Sequence, residues 1–268
     1  MSETLGRRAL DVDLALLALG NETFEAEGAL FVRNRELPLE REANFVANVT
    51  ASTPDEIERL LTRVERELAG LPYRRFDVDH DAQPAFEARL LLDGYRREET
   101  IVSVLEGDLV GEAKPADIRP VDNESAWQAR AALVAASWPD YEERAGASAD
   151  RSASSGQALE SAIRSGRAKS PPLRYWLAYV DGEAQAYGAS WPGIEGMGQV
   201  EYLFTHPDFR HRGLATALIH RAVAGCRERG AGPVAITADA SDTPKQIYAA
   251  MGFRPVAMKR TYLREVAT

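Results

Sequence analysis

THPDFRHRGLAT, residues 205–216, stands between a run that alternates like a strand (197–205) and a run with helical periodicity (213–229). A glycine at the opening of a helix lets an anion approach backbone N–H groups that have no partner inside the helix. Arg210, His211 and Arg212 add positive charge, and no Asp or Glu follows in the first turn to oppose an anion. The stretch therefore reads as a phosphate-binding turn.

Working outward, a strand at 233–239, a helix at 244–251 and a strand at 254–264 follow the long helix, an alternating α/β order. Upstream, strands at 173–180 and 183–191 meet at Asp181-Gly182, a short hairpin signal. Before them, Ile118-Arg119-Pro120 opens a strand and 124–137 reads as a helix. The Ala-, Ser- and Gly-rich stretch 142–157 reads as a mobile loop or the frayed start of a helix. The N-terminal part reads as a helix (7–19), strands (29–37, 44–50), a helix from Pro54 capped by Ser52 or Thr53, a strand (73–79), a helix (84–93) and a strand (95–105). Glycines, prolines and mixed charge over 106–120 place a boundary there, dividing 1–115 from 116–268. The order helix-strand-helix-strand over 54–105 repeats over 213–264. In both copies a Gly-aromatic pair, Gly94-Tyr95 or Gly252-Phe253, joins the last two elements. The first copy opens its helix with Pro54-Asp55-Glu56, so its own carboxylates occupy the helix terminus and it should reject a phosphate.

Composition narrows the classes. A chain of 268 residues with 45% hydrophobic and 27% charged residues can bury substantial cores without staples. The apolar runs are far shorter than a membrane span, no secretory pattern is present, and a cytoplasmic location is expected. A net charge of -9 argues against nucleic-acid binding. Cys226 is the only cysteine, and its spacing from Leu218 and Ala222 puts it on an apolar helical stripe as a core thiol. His206, His211 and His220 do not converge in the sequence pattern, so no metal is expected.

The pattern RHRGLA at 210–215, with a strand and Thr-x-Pro before it, resembles the acetyl-CoA signature of the GNAT superfamily of N-acetyltransferases. DTPKQIYAAMGF at 242–253 resembles that superfamily's second block. The resemblance covers 118–268 closely and 21–105 only as a degenerate copy. It implies a mixed, mostly antiparallel α/β sheet with flanking helices, a splayed central parallel strand pair and two similar domains in tandem. Of these, 1–115 would lack the phosphate-binding turn and 116–268 would be catalytic. It further implies acetyl-CoA as co-substrate and a primary amine, on a small molecule or a protein, as acceptor. The protein would act as a monomer or homodimer. Backbone groups of Leu203, Phe204 and Thr205 would pair with the pantetheine arm. The segment Arg210, His211, Arg212, Gly213, Leu214, Ala215 and Thr216 would hold the diphosphate. Tyr248 occupies the superfamily's tyrosine position and would protonate the departing thiolate, while the N–H of Leu203 or Phe204 would polarise the thioester. Some members carry a glutamate where this chain has Gln199. Glu201 is the candidate base, directly or through water, because alternation places Gln199, Glu201, Leu203 and Thr205 on one face. Asp242, or else Ser241, is the expected cap of the Tyr248 helix, and Trp191 is the aromatic expected nearest the acceptor. Acyl transfer from a longer acyl-CoA and a non-catalytic CoA-binding regulatory or interaction module are the competing readings.

Overall fold

The structure, a computed structural model, describes residues 2–79, 82–144 and 152–266. Its N-terminal elements are α1 (Ser2–Ala18), β1 (Glu22–Ala26), β2 (Ala29–Arg33), β3 (Phe45–Ala47), α2 (Pro54–Glu67), β4 (Tyr73–Val78), α3 (Pro84–Leu92) and β5 (Arg96–Leu105). There follow β6 (Asp117–Pro120), α4 (Glu124–Arg144), α5 (Ser152–Ala168), β7 (Arg174–Val180), β8 (Glu183–Ile194) and β9 (Met197–Thr205). The chain ends with α6 (Leu214–Arg227), β10 (Val234–Asp239), α7 (Pro244–Ala250) and β11 (Arg254–Glu265).

Two compact units emerge, and they interleave in sequence. One comprises Met1–Val102, Ala238–Asp242 and Val256–Thr268; the other comprises Ser103–Thr237 and Thr243–Pro255. They do not coincide with the sequential halves 1–115 and 116–268. The reason is β11, which runs antiparallel to β4 from Arg260↔Val78 to Glu265↔Tyr73.

The first unit orders its strands β1-β2-β3-β4-β11-β5. Its β3–β4 pair is parallel, and the neighbouring pairs β2–β3 and β4–β11 are antiparallel. Its core gathers Ile57, Leu60 and Val64 of α2 with Phe76, Phe86, Leu90 and Tyr262, the apolar stripe expected from i, i+3, i+7 spacing. Thr53 is the observed cap of α2, in a capping box with Glu56. Hydrogen bonds from the Thr53 and Ser52 backbone hold the Glu56 carboxyl down at about 2.

On the other face of this sheet Lys259 lies between Asp13 (2.5 Å) and Asp77 (3.5 Å), and Arg75 chelates Asp77 at 2.8 Å. Burial pushes the Asp77 carboxyl up, but the charges of Arg75 and Lys259 outweigh it and hold it at about 2. Its folded value lies below its unfolded one, near 3.9, so the stabilisation is present above pH ~4 and is lost as pH falls toward 2. Asp77→Asn removes a buried carboxylate that two half-buried cations share and is expected to cost about 3 kcal/mol at pH 7. Urea melts at pH 7 and pH 3 check this: the gap between variant and parent narrows at the lower pH.

The second unit orders its strands β10-β9-β8-β7-β6. Only β9–β10 is parallel; β6–β7, β7–β8 and β8–β9 are antiparallel. Leu214, Leu218, Ile219, Ala222, Val223 and Cys226 give α6 its buried side. Cys226 is fully buried, its Sγ is 3.2 Å from the Trp191 carbonyl, and burial pushes the thiol up to about 12. It is a core thiol.

Three elements depart from the sequence reading. β1 was not expected: its ETFEA sequence carries two carboxylates, and it forms because Glu27-Gly28, both at positive φ, turn it back onto β2. Helix α4 runs beyond the expected stop at 137 and through Pro139. Within 142–157, residues 142–144 belong to α4 and 152–157 to α5, while 145–151 lie outside the described residues. Helix α5 escaped periodicity because it buries small hydroxyls, Ser161 and Ser165. Among the described residues, no helix is long and apolar enough to cross a membrane.

Candidate functional site

Strands β9 and β10 run side by side only briefly. Gly198, Gln199 and Val200 pair with Val234, Ala235 and Ile236; the ladder then stops, although β9 continues to Thr205 and β10 to Asp239. On its opposite edge β9 carries a bulge. Ala189 pairs with Glu201 and Tyr187 with Phe204, so Tyr202 and Leu203 together oppose Gly188. Tyr202 takes the left-handed conformation, φ 57°, that lets the strand bend there. Bulge and parting coincide, and the segment Glu201 to Thr205 lies along the opening.

The bulge also changes which side chains share a face. Strict alternation puts Leu203 with Glu201. In the structure the Leu203 side chain lies over Gly188, where an added Cβ would sit 2.7 Å from Leu203 Cδ2 and 3.8 Å from Leu218 of α6. Glu201 is paired with Ala189 and is on the other face. The expectation of one shared face is therefore wrong from Leu203 onward, because the extra residue inverts the pleat.

Glu201 is half-buried, and its carboxylate bridges the two strands where they part. Gln199 Nε2 donates to Oε2 at 2.9 Å, and Thr237 Oγ1 of β10 donates to the same oxygen at 3.1 Å. Gln199, fully buried, thus acts on the carboxylate beside it. The sequence puts Gln199 and Glu201 on one face without showing the bond between them, and it gives no sign of Thr237, since contacts across a parallel pair leave no local pattern.

Beyond Thr205 the chain makes a single 3-10 turn at Pro207–Phe209. Arg210 Nε donates to the Thr205 carbonyl at 3.3 Å, and Arg212 donates to the Asp208 carbonyl while its guanidinium covers the Phe209 ring. His211 and Gly213 both adopt positive φ, 63° and 89°. Gly213 caps α6 without a side-chain hydrogen bond, and the first helical turn holds no acidic residue. The first bond into the helix is Ala217 N to Gly213 O, so the N–H groups of Leu214, Ala215 and Thr216 have no partner within it. A Cβ on Gly213 would be strained and would lie 3.2 Å from Lys114 Cδ. Lys114, in the boundary segment, went unnoticed in the sequence because nothing local ties it to a turn about 100 residues away.

Such a terminus suits a diphosphate, and α2 provides its opposite. Asp55 follows the α2 cap by two residues, as Ala215 follows Gly213. Ala215→Asp is therefore expected to weaken coenzyme A binding at least tenfold while stabilising α6 by up to about 1 kcal/mol. Calorimetry and a thermal melt on the same sample read the two effects, and unchanged affinity sinks the assignment of this turn.

Tyr248 lies in α7, buried, with its ring 6.2 Å from Phe253. Neither Asp242 nor Ser241 caps α7: Thr243 holds that position without a side-chain capping bond, and Ser241 is turned onto Asp239. Trp191 lies within β8, opposite Gln199 and buried. Among the described residues no three His, Cys, Asp or Glu side chains gather as metal ligands.

Residues 130–253 match the acetyltransferase (GNAT) family. A search of the curated proteins found no match. Among solved structures, a functionally unknown conserved protein from Staphylococcus epidermidis superposes with a TM-score of 0.70 at 14% identity, covering 93% of this chain and 96% of its own. A GCN5-related N-acetyltransferase from Kribbella flavida gives 0.68 at 17% identity, covering 98% and 97%. A tandem GNAT protein from the clavulanic acid biosynthesis pathway gives 0.55 at 13% identity, covering 84% and 76%. At these identities the likeness is one of fold. The parted parallel strands, the bulge and the open turn before α6 lie inside the matched segment, and residues 130–253 form a GNAT-family acetyltransferase domain.

Proposed function

We propose that the protein is an acetyl-CoA-dependent N-acetyltransferase, moving an acetyl group to a primary amine of a small molecule or a protein by direct transfer in a ternary complex. The observation that carries this reading is the parting of β9 from β10 after Val200, with Glu201 at its mouth and an acid-free helix terminus at its end. A strand that leaves its neighbour has backbone groups to offer, and the amides of a pantetheine arm answer them along Leu203, Phe204 and Thr205. The diphosphate meets the N–H groups of Leu214, Ala215 and Thr216 and the turn His211 to Gly213, with Arg210 and Arg212 adding charge.

In the reaction Glu201, directly or through a water, takes a proton from the acceptor ammonium. The free amine attacks the thioester carbon, whose oxygen is polarised by the N–H of Leu203 or Phe204. The carbon–sulfur bond breaks, Tyr248 gives the leaving thiolate its proton, and the second proton, shed by the nitrogen as it becomes an amide, restores the tyrosine through solvent. The buried thiol of Cys226, held far from ionisation, supports direct transfer over an acyl-cysteine route.

The test is to mix the protein with acetyl-CoA and a panel of amines while following free thiol, and to titrate coenzyme A by calorimetry. Thiol release that depends on an amine supports the reading. Heat without thiol release for any acceptor points to a non-catalytic CoA-binding module, and no heat at all removes both. Substituting longer acyl-CoA thioesters in the same assay separates acetyl from longer-chain transfer.

A further inference from the structure

Arg74 and Arg130 are equally buried, each 4% exposed, yet their surroundings differ. Arg74 donates to Glu65 at 2.7 Å and to the carbonyls of Leu71 and Tyr73. Arg130, on α4, forms no ion pair among the described residues, and its buried Nε and Nη1 have no hydrogen-bond partner. Its guanidinium instead lies over Tyr175, 3.9 Å from the ring centroid, with Tyr187 at 5.6 Å and Trp127 at 5.7 Å. Ring faces offset part of the cost of burying a cation, but unmade donor bonds remain costly in a low-dielectric setting. Gly166 of α5 makes room for the arginine itself: a Cβ there would lie 2.4 Å from Arg130 Nη2.

The sheet relates this cation to the proposed base. Tyr175 pairs with Ala189 across β7–β8, and Ala189 pairs with Glu201 across β8–β9. The three stand in one row on one face, two strand spacings wide, or about 10 Å between the outer Cα atoms. Arg130 sits on the first ring of that row and Glu201 at its far end.

We infer that Arg130 is a receptor for a carboxylate carried by the acceptor, whose amine lies at Glu201; this rests on the function proposed above. The span sets the class of substrate. A separation on the scale of that row is about three residues of extended chain, more than an α-amino acid offers, whose amine and carboxylate share one carbon. It fits a flexible molecule with an amine at one end and a carboxylate at the other, such as an ω-amino acid or a short peptide with both termini free.

The experiment compares carboxylates with their uncharged amides: ω-aminooctanoate, triglycine and glycine, each against its amide, as acceptors in the thiol-release assay. A charge-assisted bond to a buried guanidinium is expected to favour the two long acids over their amides by about tenfold to a hundredfold in kcat/KM. Glycine is expected to show no such preference over glycinamide. Arg130→Gln is expected to bring the long-acid ratios toward one, and Arg130→Lys to retain part of them. Because Arg130 is buried, thermal melts accompany each variant. Gly166→Ala, which leaves the arginine in place but crowds it, is the second route to the same loss of ratio. Calorimetric titration of the same acids and amides onto the protein with coenzyme A bound gives a readout that needs no turnover. If no amine is acetylated while the parent still binds the long acids more tightly through Arg130, the proposed transfer falls and the receptor stands. If acid and amide bind or react alike in the parent, or Arg130→Gln keeps the preference, the receptor is refuted.

Discussion

Glu201→Gln is expected to lower kcat by about two to four orders of magnitude, the usual contribution of a positioned acid or base, with coenzyme A affinity unchanged. The substitution keeps the shape of the side chain. It also keeps an oxygen that accepts from Gln199 Nε2 and Thr237 Oγ1, so strand positions and the opening between β9 and β10 are preserved. What it removes is basicity. A carboxylate can take up a proton from an incoming ammonium or a relaying water, whereas an amide does not take one up at neutral pH. Thr237→Val removes one of the two donors and is the graded companion, with a smaller loss in kcat expected. Initial rates with saturating acetyl-CoA, paired with calorimetry, separate chemistry from binding. A Gln variant that turns over within about threefold of the parent rules Glu201 out as the base, because threefold is far below the range cited for such a group.

What could be read from the sequence was what is local. The turn at 205–216 is legible because a helix terminus, its glycine and its charge balance are contiguous, and the structure puts Gly213 at the cap with left-handed φ. Helices such as α2 and α6 are legible because a single apolar stripe repeats along them. Three kinds of feature were not. The pleat inversion at Tyr202 comes from one extra residue against β8, and alternation counted along β9 alone carries no information about its neighbour. The bridge from Glu201 to Thr237 joins residues 36 apart across the one parallel contact of the unit. The departure of β11 to pair with β4 is a choice among partners nearly two hundred residues apart, so no cut drawn from composition between 106 and 120 reproduces the interleaved units. Arg130 belongs with these: in sequence it is one more cation on a helix, and only the unmade hydrogen bonds of its buried Nε and Nη1 among the described residues distinguish it.

Tyr248→Phe is the second large effect, an expected fall in kcat of about a hundredfold or more with little change in melting temperature. The tyrosine is buried in α7 and its ring packs beside Phe253, so phenylalanine keeps the contact and loses only the hydroxyl. If the residue served packing alone, that exchange would leave turnover as it was. If the hydroxyl protonates the leaving thiolate, the deficit scales with how badly the leaving group needs a proton. An acyl donor with a more acidic thiol, whose anion departs unaided, should recover much of the lost rate in Tyr248→Phe but not in Glu201→Gln, where the missing step is removal of a proton from the amine. Comparing the two variants with acetyl-CoA and with an activated acetyl thioester of a more acidic thiol therefore assigns acid and base separately. Equal rescue of both variants would contradict the division of roles, since a better leaving group cannot make up for a missing base in one case and a missing acid in the other to the same degree.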